Sequence, residues 1–417
     1  MYRYKIIILF LFIVIGYSGR TQNTTSPYSI FGPGEIQQKG FGKLQGMGGV
    51  GIGLKSGNFL NNLNPASYTG LDSLHYIYSV GVESKFSNFN QQGKSKNDVT
   101  ANFKYFALGF RIDDWWFASM GLTPFTNVGY DIITQSYVEG ANSTYHSEYV
   151  GTGGISQVYF SNAFKLTKNL SVGINSSYMF GSIIQEESVS QQVLFTNYKF
   201  IRTDYLKSLY FDYGLQYSFK LKNLDYTFGA IYSQNQNLDS RHQVTVRADG
   251  NVVAYQEEDL EYIEIPDIYG FGIAIQNGQK LTVAADYQFQ KWSGVSYPTQ
   301  IDDFVDSHSF TLGSEFRPWT ESVINKGYKN WTYRAGLNYS SSYVKVGKRI
   351  LDKKSISLGI GVPIKNEKSR NVGSAINFAF EFGTKGTTNN NQVKENYVQV
   401  YMNFSINEIW FQKRQYF

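Results

Sequence analysis

The 417-residue sequence contains no cysteine, which excludes disulfides, thiolate metal sites, a thiol nucleophile and an N-terminal lipoprotein anchor. Proline is scarce, with eight residues, and charged residues make up only 17% of the chain. The mean hydropathy of −0.32 argues against a bundle of transmembrane helices, which needs several apolar runs of roughly 20 residues. The net charge is only +5, without a Lys/Arg block, so nucleic acid is not an expected partner.

Aromatic residues are abundant instead: 33 Tyr and 31 Phe bring the aromatic share to 17%, beside 40 Gly. So much aromatic surface must be buried in a core or in lipid, and a disordered chain is therefore not expected. The length fits two or three soluble domains or one large β-barrel.

The N-terminus has the layout of an export signal. Arg3 and Lys5 precede an apolar stretch at 6–17, and small and polar residues follow. Such a stretch is short for a bilayer span and is typical of a cleaved signal peptide. We expect cleavage between Thr21 and Gln22, in a bacterial envelope protein. A retained N-terminal anchor helix is the alternative.

The rest of the chain shows the two-residue period of β-strands. Near the C-terminus, Val398, Val400, Met402, Phe404 and Ile406 alternate with polar or amphipathic residues. The same alternation recurs at 209–221, 281–290 and 373–384. A two-residue period with one apolar face predicts strands with one side in contact with lipid or a core. No segment after the signal shows a helical period over three turns.

The connections between these strands differ in length. Short ones are predicted at 113–114, 167–169, 222–223 and 277–278, where Asn-Gly favours a type I′ hairpin turn. Longer polar connections are predicted at 87–98, 134–152, 186–204, 239–267, 293–305, 344–354 and 385–395. Tight turns at one end and long loops at the other are typical of an outer-membrane barrel.

The pattern predicts fourteen strands, an even number as bacterial single-chain barrels require. The predicted fold class is all-β, a transmembrane antiparallel β-barrel with an N-terminal hatch or plug, because a lumen of this width would otherwise leak. The boundaries are a signal peptide at 1–21, a hatch at 22–73, the barrel at 74–406 and a periplasmic tail at 407–417. The alternative is a periplasmic array of soluble β-sandwiches, but aromatic apolar faces and the terminal Phe417 favour the barrel.

The predicted hatch carries the glycine-rich run 46–54 and, after it, Asn64-Pro65-Ala66. With the segments 265–272 and 286–293, these motifs resemble the FadL/TodX long-chain fatty acid transporter family. The resemblance implies a fourteen-stranded barrel with an N-terminal hatch, and it makes Gly48, Gly49, Asn64, Pro65 and Ala66 the candidate ligand and hatch residues. A purely structural role is the alternative: glycine lets a plug approach the wall, and Asn-Pro makes a tight turn.

Enzyme chemistry has no support in the sequence. The four histidines, at 75, 146, 242 and 308, show no metal-ligand spacing, and Gly-x-Ser-x-Gly does not occur. We therefore expect no catalytic residue, metal or cofactor, and a protein that is not an enzyme. Charges predicted to face the lumen, and to pair there, are Lys104, Arg111, Asp212, Asp286, Glu315, Arg334 and Glu381.

Two functions remain open. The first is passive uptake of hydrophobic, fatty-acid-like molecules through the plugged barrel, which the resemblance implies. The second is a non-transporting barrel subunit of a secretion or outer-membrane assembly complex, which the polar lumen residues favour. Expected partners are outer-membrane lipid and lipopolysaccharide, a hydrophobic small molecule, and envelope proteins that bind the charged loop 239–267 or the C-terminal tail. Both termini are predicted to be periplasmic.

Overall fold

The computed structural model describes residues 26–73, 75–137, 144–191, 197–278, 280–295, 304–318, 330–347, 349–364 and 373–409. The predicted signal peptide and most of the predicted tail lie outside these residues. No helix in the described ranges is long and apolar enough to cross a membrane.

Strands dominate the described chain. Four 3-10 turns occupy Pro27–Ile30, Gly42–Met47, Pro65–Gly70 and Asn389–Asn391. The strands are β1 (Glu35–Ile36), β2 (His75–Gln91), β3 (Lys94–Arg111), β4 (Trp116–Tyr137), β5 (Thr144–Lys165), β6 (Leu170–Gln191), β7 (Tyr198–Leu221), β8 (Leu224–Ser233), β9 (Gln236–Ala248), β10 (Asn251–Ile265), β11 (Ile268–Asn277), β12 (Leu281–Gln290), β13 (Ser307–Phe316), β14 (Thr332–Val346), β15 (Arg349–Pro363), β16 (Ala375–Lys385) and β17 (Lys394–Ile409).

These strands form a closed antiparallel barrel. The last strand, β17, pairs with β2 from Lys394 opposite Asn90 to Ile409 opposite His75, which closes the sheet. Strand β7 pairs with both β8 and β9, so these two are segments of one barrel strand. Strands β10 and β11 likewise follow one another beside β9 and β8. The barrel therefore has fourteen strands, and the predicted antiparallel barrel and its strand number are confirmed.

The two-residue period separates lumen from lipid. On β17, Tyr401, Asn403 and Ser405 are buried inside, whereas Ile406 faces outward. Outward positions on the neighbouring strands are half-exposed apolar side chains, including Leu358, Phe380 and Phe382. An apolar outer face around a closed barrel is the property of an outer-membrane protein.

We call the end that carries the turns 112–115, 166–169, 222–223 and 278–280 the lower end, and the opposite end the upper end. The predicted difference in loop length between the ends is wrong in part. At the upper end, 87–98, 239–267 and 344–354 are mostly hairpin strands joined by two residues, at 92–93, 249–250 and 347–348. At the lower end, the connections 317–331 and 364–374 are long.

The error at the upper end has a physical reason. Gln92-Gly93 and Asp249-Gly250 have positive φ at both residues, 47° and 78° in the first pair and 48° and 85° in the second. Such two-residue turns continue the twist of the flanking strands, so the ladder runs to the turn. The polarity of these segments reflects exposure to water on both faces rather than the end of a strand.

The wall is higher on one side of the barrel. Strands β4, β5 and β6 have 22 residues each and β7 has 24, whereas β12 and β13 have ten. Since roughly 9–11 tilted residues cross a membrane, the upper ends of the longer strands project beyond it. We call the upper parts of β4–β7, together with β9 and β10, the raised wall.

Candidate functional site: the N-terminal segment inside the barrel

Residues 26–73, which we call the N-terminal segment, fill much of the lumen before the chain enters β2. In the upper half, the Ser26 N–H donates to the Gly129 carbonyl at 2.7 Å. The Tyr28 hydroxyl donates to the Val393 carbonyl at 2.5 Å. Strand β1 then pairs with β4, Glu35 opposite Asn127. The segment is thus bound to the inner wall before it reaches the lower half.

Glycines of the wall make room for the segment in the lower half. A Cβ built on Gly173 would lie 2.5 Å from the Ala66 nitrogen, closer than any packed contact. Equivalent close approaches occur on seven other strands, to backbone atoms of the segment at most of them and to side-chain atoms at Gly109 and Gly214. The wall glycines are Gly109, Gly173, Gly214, Gly229, Gly272, Gly313, Gly336 and Gly359. Only glycine permits this separation, because any side chain would occupy the position of the segment.

Ion pairs connect the segment to the wall. The Lys39 ammonium lies 3.0 Å from the Asp212 carboxylate. The Lys43 ammonium lies 3.1 Å from Glu315, and the Arg334 guanidinium lies 2.6 Å from the same carboxylate. Because these groups are largely buried, removal of one partner would leave an uncompensated charge. The predicted pairing of lumen charges is therefore observed: Asp212 and Glu315 pair with the N-terminal segment, and Arg334 pairs with Glu315 on the neighbouring strand of the wall.

Asp286 holds the glycine-rich run. Its Oδ2 accepts hydrogen bonds from the Gly51 N–H at 2.6 Å and the Ile52 N–H at 2.8 Å. From within the segment, Asn61 Nδ2 donates to the Gly51 carbonyl at 2.7 Å. On the opposite side, Gln216 Nε2 donates to the Ile52 carbonyl at 3.0 Å. The run is therefore fixed through its backbone, by side chains from β12 and β7.

The predicted residues Asn64, Pro65 and Ala66 are all buried against the wall. Asn64 caps the following 3-10 turn, with its Oδ1 accepting from the Ala66 N–H at 3.0 Å. Its Nδ2 donates to the Ile52 carbonyl at 3.0 Å and to the Leu215 carbonyl on β7 at 3.1 Å. These three residues therefore join the segment to β6 and β7. A ligand role for them stays a prediction.

Gly48 and Gly49 lie elsewhere. Both have positive φ, 74° and 87°, in the turn that ends the second 3-10 segment. Gly48 approaches the backbone of Leu337 on β14, and its carbonyl accepts from Gln38 Nε2 at 2.9 Å. The structure thus places Gly48 at β13 and β14 and Gly49 beside Gln38 of the segment itself, apart from the Asn64–Ala66 turn at β6 and β7.

The upper lumen has an apolar side, formed by inward residues of β4–β7, β9 and β10. Phe125, Ile155, Ile183 and Leu206 are at most 4% exposed there. We call this group the apolar cluster; its members are Phe125, Val128, Tyr130, Ile155, Met179, Ile183, Leu206, Tyr210, Leu238, Ile263 and Ile265. It occupies the inner face of the raised wall and ends at Phe125.

The opposite side of the lumen is charged. Three ion pairs lie there, Lys85–Glu395 at 2.6 Å, Lys104–Glu83 at 3.0 Å and Lys353–Glu381 at 3.2 Å. Two tyrosines of β17 also donate to Glu381. A cavity of about 220 Å³ separates the two sides; Lys85, Lys353 and Gln288 contribute to its polar lining and Phe125, Ile36 and Ile268 to its apolar lining.

Strands β3 and β4 separate in their upper halves. Their ladder runs from Arg111 opposite Phe117 to Phe106 opposite Leu122 and no further in the described residues. An extra residue interrupts each strand at this point, Lys104 on β3 and Phe125 on β4. We call the opening above Lys104 and Thr123 the seam. Beside the cavity, β1 covers the seam from inside, and the Gln37 N–H donates to the Phe125 carbonyl at 2.9 Å.

The remaining predicted lumen charges face inward as expected, with one difference. Lys104, Asp286 and Glu381 are held in the interior contacts described above. Arg111 lies at the lower rim instead, where it pairs with the exposed Asp114 and lies over the Phe117 ring at 5.7 Å. Arg111 therefore belongs to the lower mouth of the barrel rather than to its interior.

Glu35 gives the segment a predictable response to acid. Burial alone would raise the pKa of its carboxyl, but nearby ammonium groups, led by Lys385 at 3.1 Å, hold that pKa at about 2. Because the pKa of Glu35 is lower in the folded protein, its ion pair stabilises the bound segment fully at pH values above 4.5, the pKa of this carboxyl in the unfolded chain. This stabilisation is lost as the pH falls toward about 2.

We therefore expect pepsin to cleave the segment increasingly between pH 4.5 and pH 2. Glu35→Gln removes the ion pair at every pH, so its cleavage should change less across the same window. A wild-type protein with constant cleavage over this range would contradict the role of Glu35.

Two features of the site escaped the sequence analysis. The wall glycines were visible as inward positions of alternating strands, such as Gly214 between Asp212 and Gln216, but only the plug glycines were singled out. The seam has a weaker signal, Pro124 within a strand, because proline cannot donate to a ladder and marks an edge or a bulge.

The sequence profile of the family described as BamG matches residues 1–417. A search of curated proteins gave no match. Three solved structures illustrate the fold that this chain is similar to. The P. putida toluene transporter TodX has a TM-score of 0.61 and 15% identity, covering 90% of this chain and 100% of that chain.

The Ralstonia pickettii toluene transporter TbuX has a TM-score of 0.60 and 17% identity, covering 88% of this chain and 98% of that chain. A Pseudomonas aeruginosa FadL homologue has a TM-score of 0.59 and 12% identity, covering 91% of this chain and 100% of that chain. The predicted resemblance to FadL/TodX-type proteins is thus confirmed for the fold. Two of these three proteins are named as toluene transporters.

Proposed function

This chain belongs to the BamG family, and we propose that its barrel gives hydrophobic molecules a passive route across the outer leaflet and into the membrane through the seam. In this orientation the lower end and the end of β17 face the periplasm, whereas the described part of the N-terminal segment begins in the upper half of the lumen, at Ser26. The fold shared with named toluene transporters supports the proposal. The observation that carries it is the end of the β3–β4 ladder beside the apolar cluster.

The residues that line the cavity indicate the path of a hydrophobic molecule. A molecule that enters the cavity from the upper mouth meets charged groups on one side and Phe125, Ile36 and Ile268 on the other. Transfer of apolar surface from water onto the second side is favourable by roughly 25 cal/mol per Å². Phe125 also stands at the foot of the seam, so a short movement of β1 would connect the cavity to lipid.

A linker across the seam tests this route. Lys96 on β3 and Asp131 on β4 face each other there, with Nζ and Oδ2 3.5 Å apart. The chain has no cysteine, so Lys96→Cys with Asp131→Cys creates a unique pair for a short bis-maleimide. We expect the linked protein to lose uptake of a fluorescent long-chain fatty acid by cells without other carriers, whereas the unlinked variant retains it.

The matched control links two strands that are already paired. Asn88 and Asn97 face each other on the β2–β3 hairpin, where their side chains are hydrogen-bonded at 2.6 Å. Asn88→Cys with Asn97→Cys, linked in the same way, should leave uptake unchanged. Equal uptake by the linked seam and the linked hairpin would refute a route between β3 and β4.

A second candidate function is favoured by the charged side of the lumen. Its ion pairs, and those that hold the N-terminal segment, fill the lumen with compensated charge, which suits a closed barrel in a larger envelope complex. Gentle purification from native membranes with mass spectrometry separates the two functions. A stoichiometric lipophile on a lone barrel supports transport, whereas stoichiometric envelope proteins without a lipophile support the subunit.

A further inference from the structure

Strand β10 forms a free edge of the raised wall. One side of β10 pairs with β9, from Asn251 opposite Ala248 to Ile265 opposite Gln236. In the described residues, no strand pairs with its other side. The next segment, β11, has partners on both sides, and its neighbour β12 ends at Gln290 opposite Ile268. The wall is therefore lower beyond this point, and β10 is the edge strand of its higher part.

We propose that this edge of β10 pairs with an extended, basic segment of another cell-surface protein, which adds a strand to the raised wall. An unpaired strand presents a row of backbone N–H and C=O groups, and strand addition is a common way for sheets to bind peptides. The inference rests on the orientation proposed above, with the upper end outside the cell. It does not depend on transport.

Charge selects the partner. Between 251 and 265 the sequence has five carboxylates, at 257, 258, 259, 261 and 264, and neither Lys nor Arg, although the whole chain carries a net +5. Arg241 on β9 lies 3.6 Å from Glu257 and 3.7 Å from Asp259, and it is shared between the two. A partner strand with Lys or Arg opposite these carboxylates would complete the pairing.

The same charges argue against a second copy of this chain as the occupant. Two β10 edges side by side would place carboxylates opposite carboxylates, and like charges directly opposite on neighbouring strands are destabilising. Charged residues on an edge are a common device against such self-pairing. The upper part of β10 instead offers apolar contacts, since Val252, Val253 and Tyr255 are all more than half exposed. The occupant is therefore expected to carry both basic and apolar residues.

The test uses the full purified chain in detergent and a labelled synthetic peptide of alternating lysine and valine, followed by fluorescence anisotropy. We expect this peptide to bind. A peptide of alternating glutamate and valine should not bind. A lysine–valine peptide with every backbone nitrogen methylated should bind much more weakly, because it keeps its charge but has no backbone N–H to donate to a ladder.

Variants locate the site. Glu257→Gln with Asp259→Asn should weaken binding about threefold or more, as expected for the loss of two exposed charge pairs. Glu148→Gln with Asp131→Asn removes two exposed charges from β5 and β4 of the same wall and should leave binding unchanged. Equal binding of the methylated peptide, or equal loss in both double variants, would overturn the proposal by showing attraction to charge without strand pairing. A dimer by light scattering that is lost in Glu257→Gln with Asp259→Asn, with no peptide binding, would also overturn it.

Discussion

Gly336→Leu is expected to displace the N-terminal segment from the lower lumen. The Gly336 Cα faces the Gly48 nitrogen and the backbone of Met47, and a Cβ at this position would overlap both. Neither side can yield easily, because β14 is hydrogen-bonded to β13 and β15, and the segment is held by Asp286 and Glu315. Overpacking of a side chain costs about 1–3 kcal/mol, and an overlap with backbone costs more.

The measurement is limited trypsin digestion of the purified barrel. Lys39 and Lys43 lie in the lumen beside Asp212 and Glu315, so the wild-type protein should resist cleavage at both. Gly336→Leu should be cleaved at both while the barrel remains folded. Gly57→Leu is the matched control, because nothing lies within 4 Å of a Cβ at that residue. Resistance of Gly336→Leu equal to that of the control would show that the segment has room to shift.

The barrel could be predicted from the sequence because lipid contact imposes a period of two on every strand. The alternation at 209–221 and 397–406 fixed which side chains face outward, and the structure confirms both. Where both faces of a strand meet water, that signal disappears, and the hairpin β9–β10 was therefore predicted as a loop. The Asp249-Gly250 turn was recognisable, but its flanking strands were not.

The arrangement inside the lumen was less predictable, because it depends on residues far apart in sequence. The contact between Lys39 and Asp212 joins residues 173 positions apart, and no local pattern indicates it. The resemblance gave the glycine run and the Asn64–Ala66 turn but not their contacts: Gly48 faces β14, whereas the turn faces β6 and β7. The seam needs two bulges at the same height on adjacent strands, at Lys104 and Phe125. Of these, only the bulge at Phe125 has a sequence signal, the preceding Pro124.

Glu315→Ala is expected to be the most destabilising single substitution in the lumen. Glu315 is buried on β13 and receives both Lys43 of the segment and Arg334 of β14. Its removal leaves two cations near one another without their shared anion. Breaking a buried ion pair costs about 3–5 kcal/mol in the free energy of unfolding, and Arg334 keeps its hydrogen bond to Asn377 at 2.9 Å.

The loss of stability in Glu315→Ala should become smaller as the pH rises. Burial lowers the pKa of Lys43, and Glu315 acts in the opposite direction, so a chain without Glu315 favours neutral Lys43 when folded. The unfolded chain then binds more protons than the folded one, and stability rises with pH. Urea unfolding of Glu315→Ala in detergent should show a midpoint that increases at alkaline pH, and Lys43→Met as a second substitution should restore part of the loss and remove this increase. A flat pH profile in Glu315→Ala would mean that Lys43 leaves the lumen rather than losing its proton, and the ion pair would then be shown to hold the N-terminal segment in place.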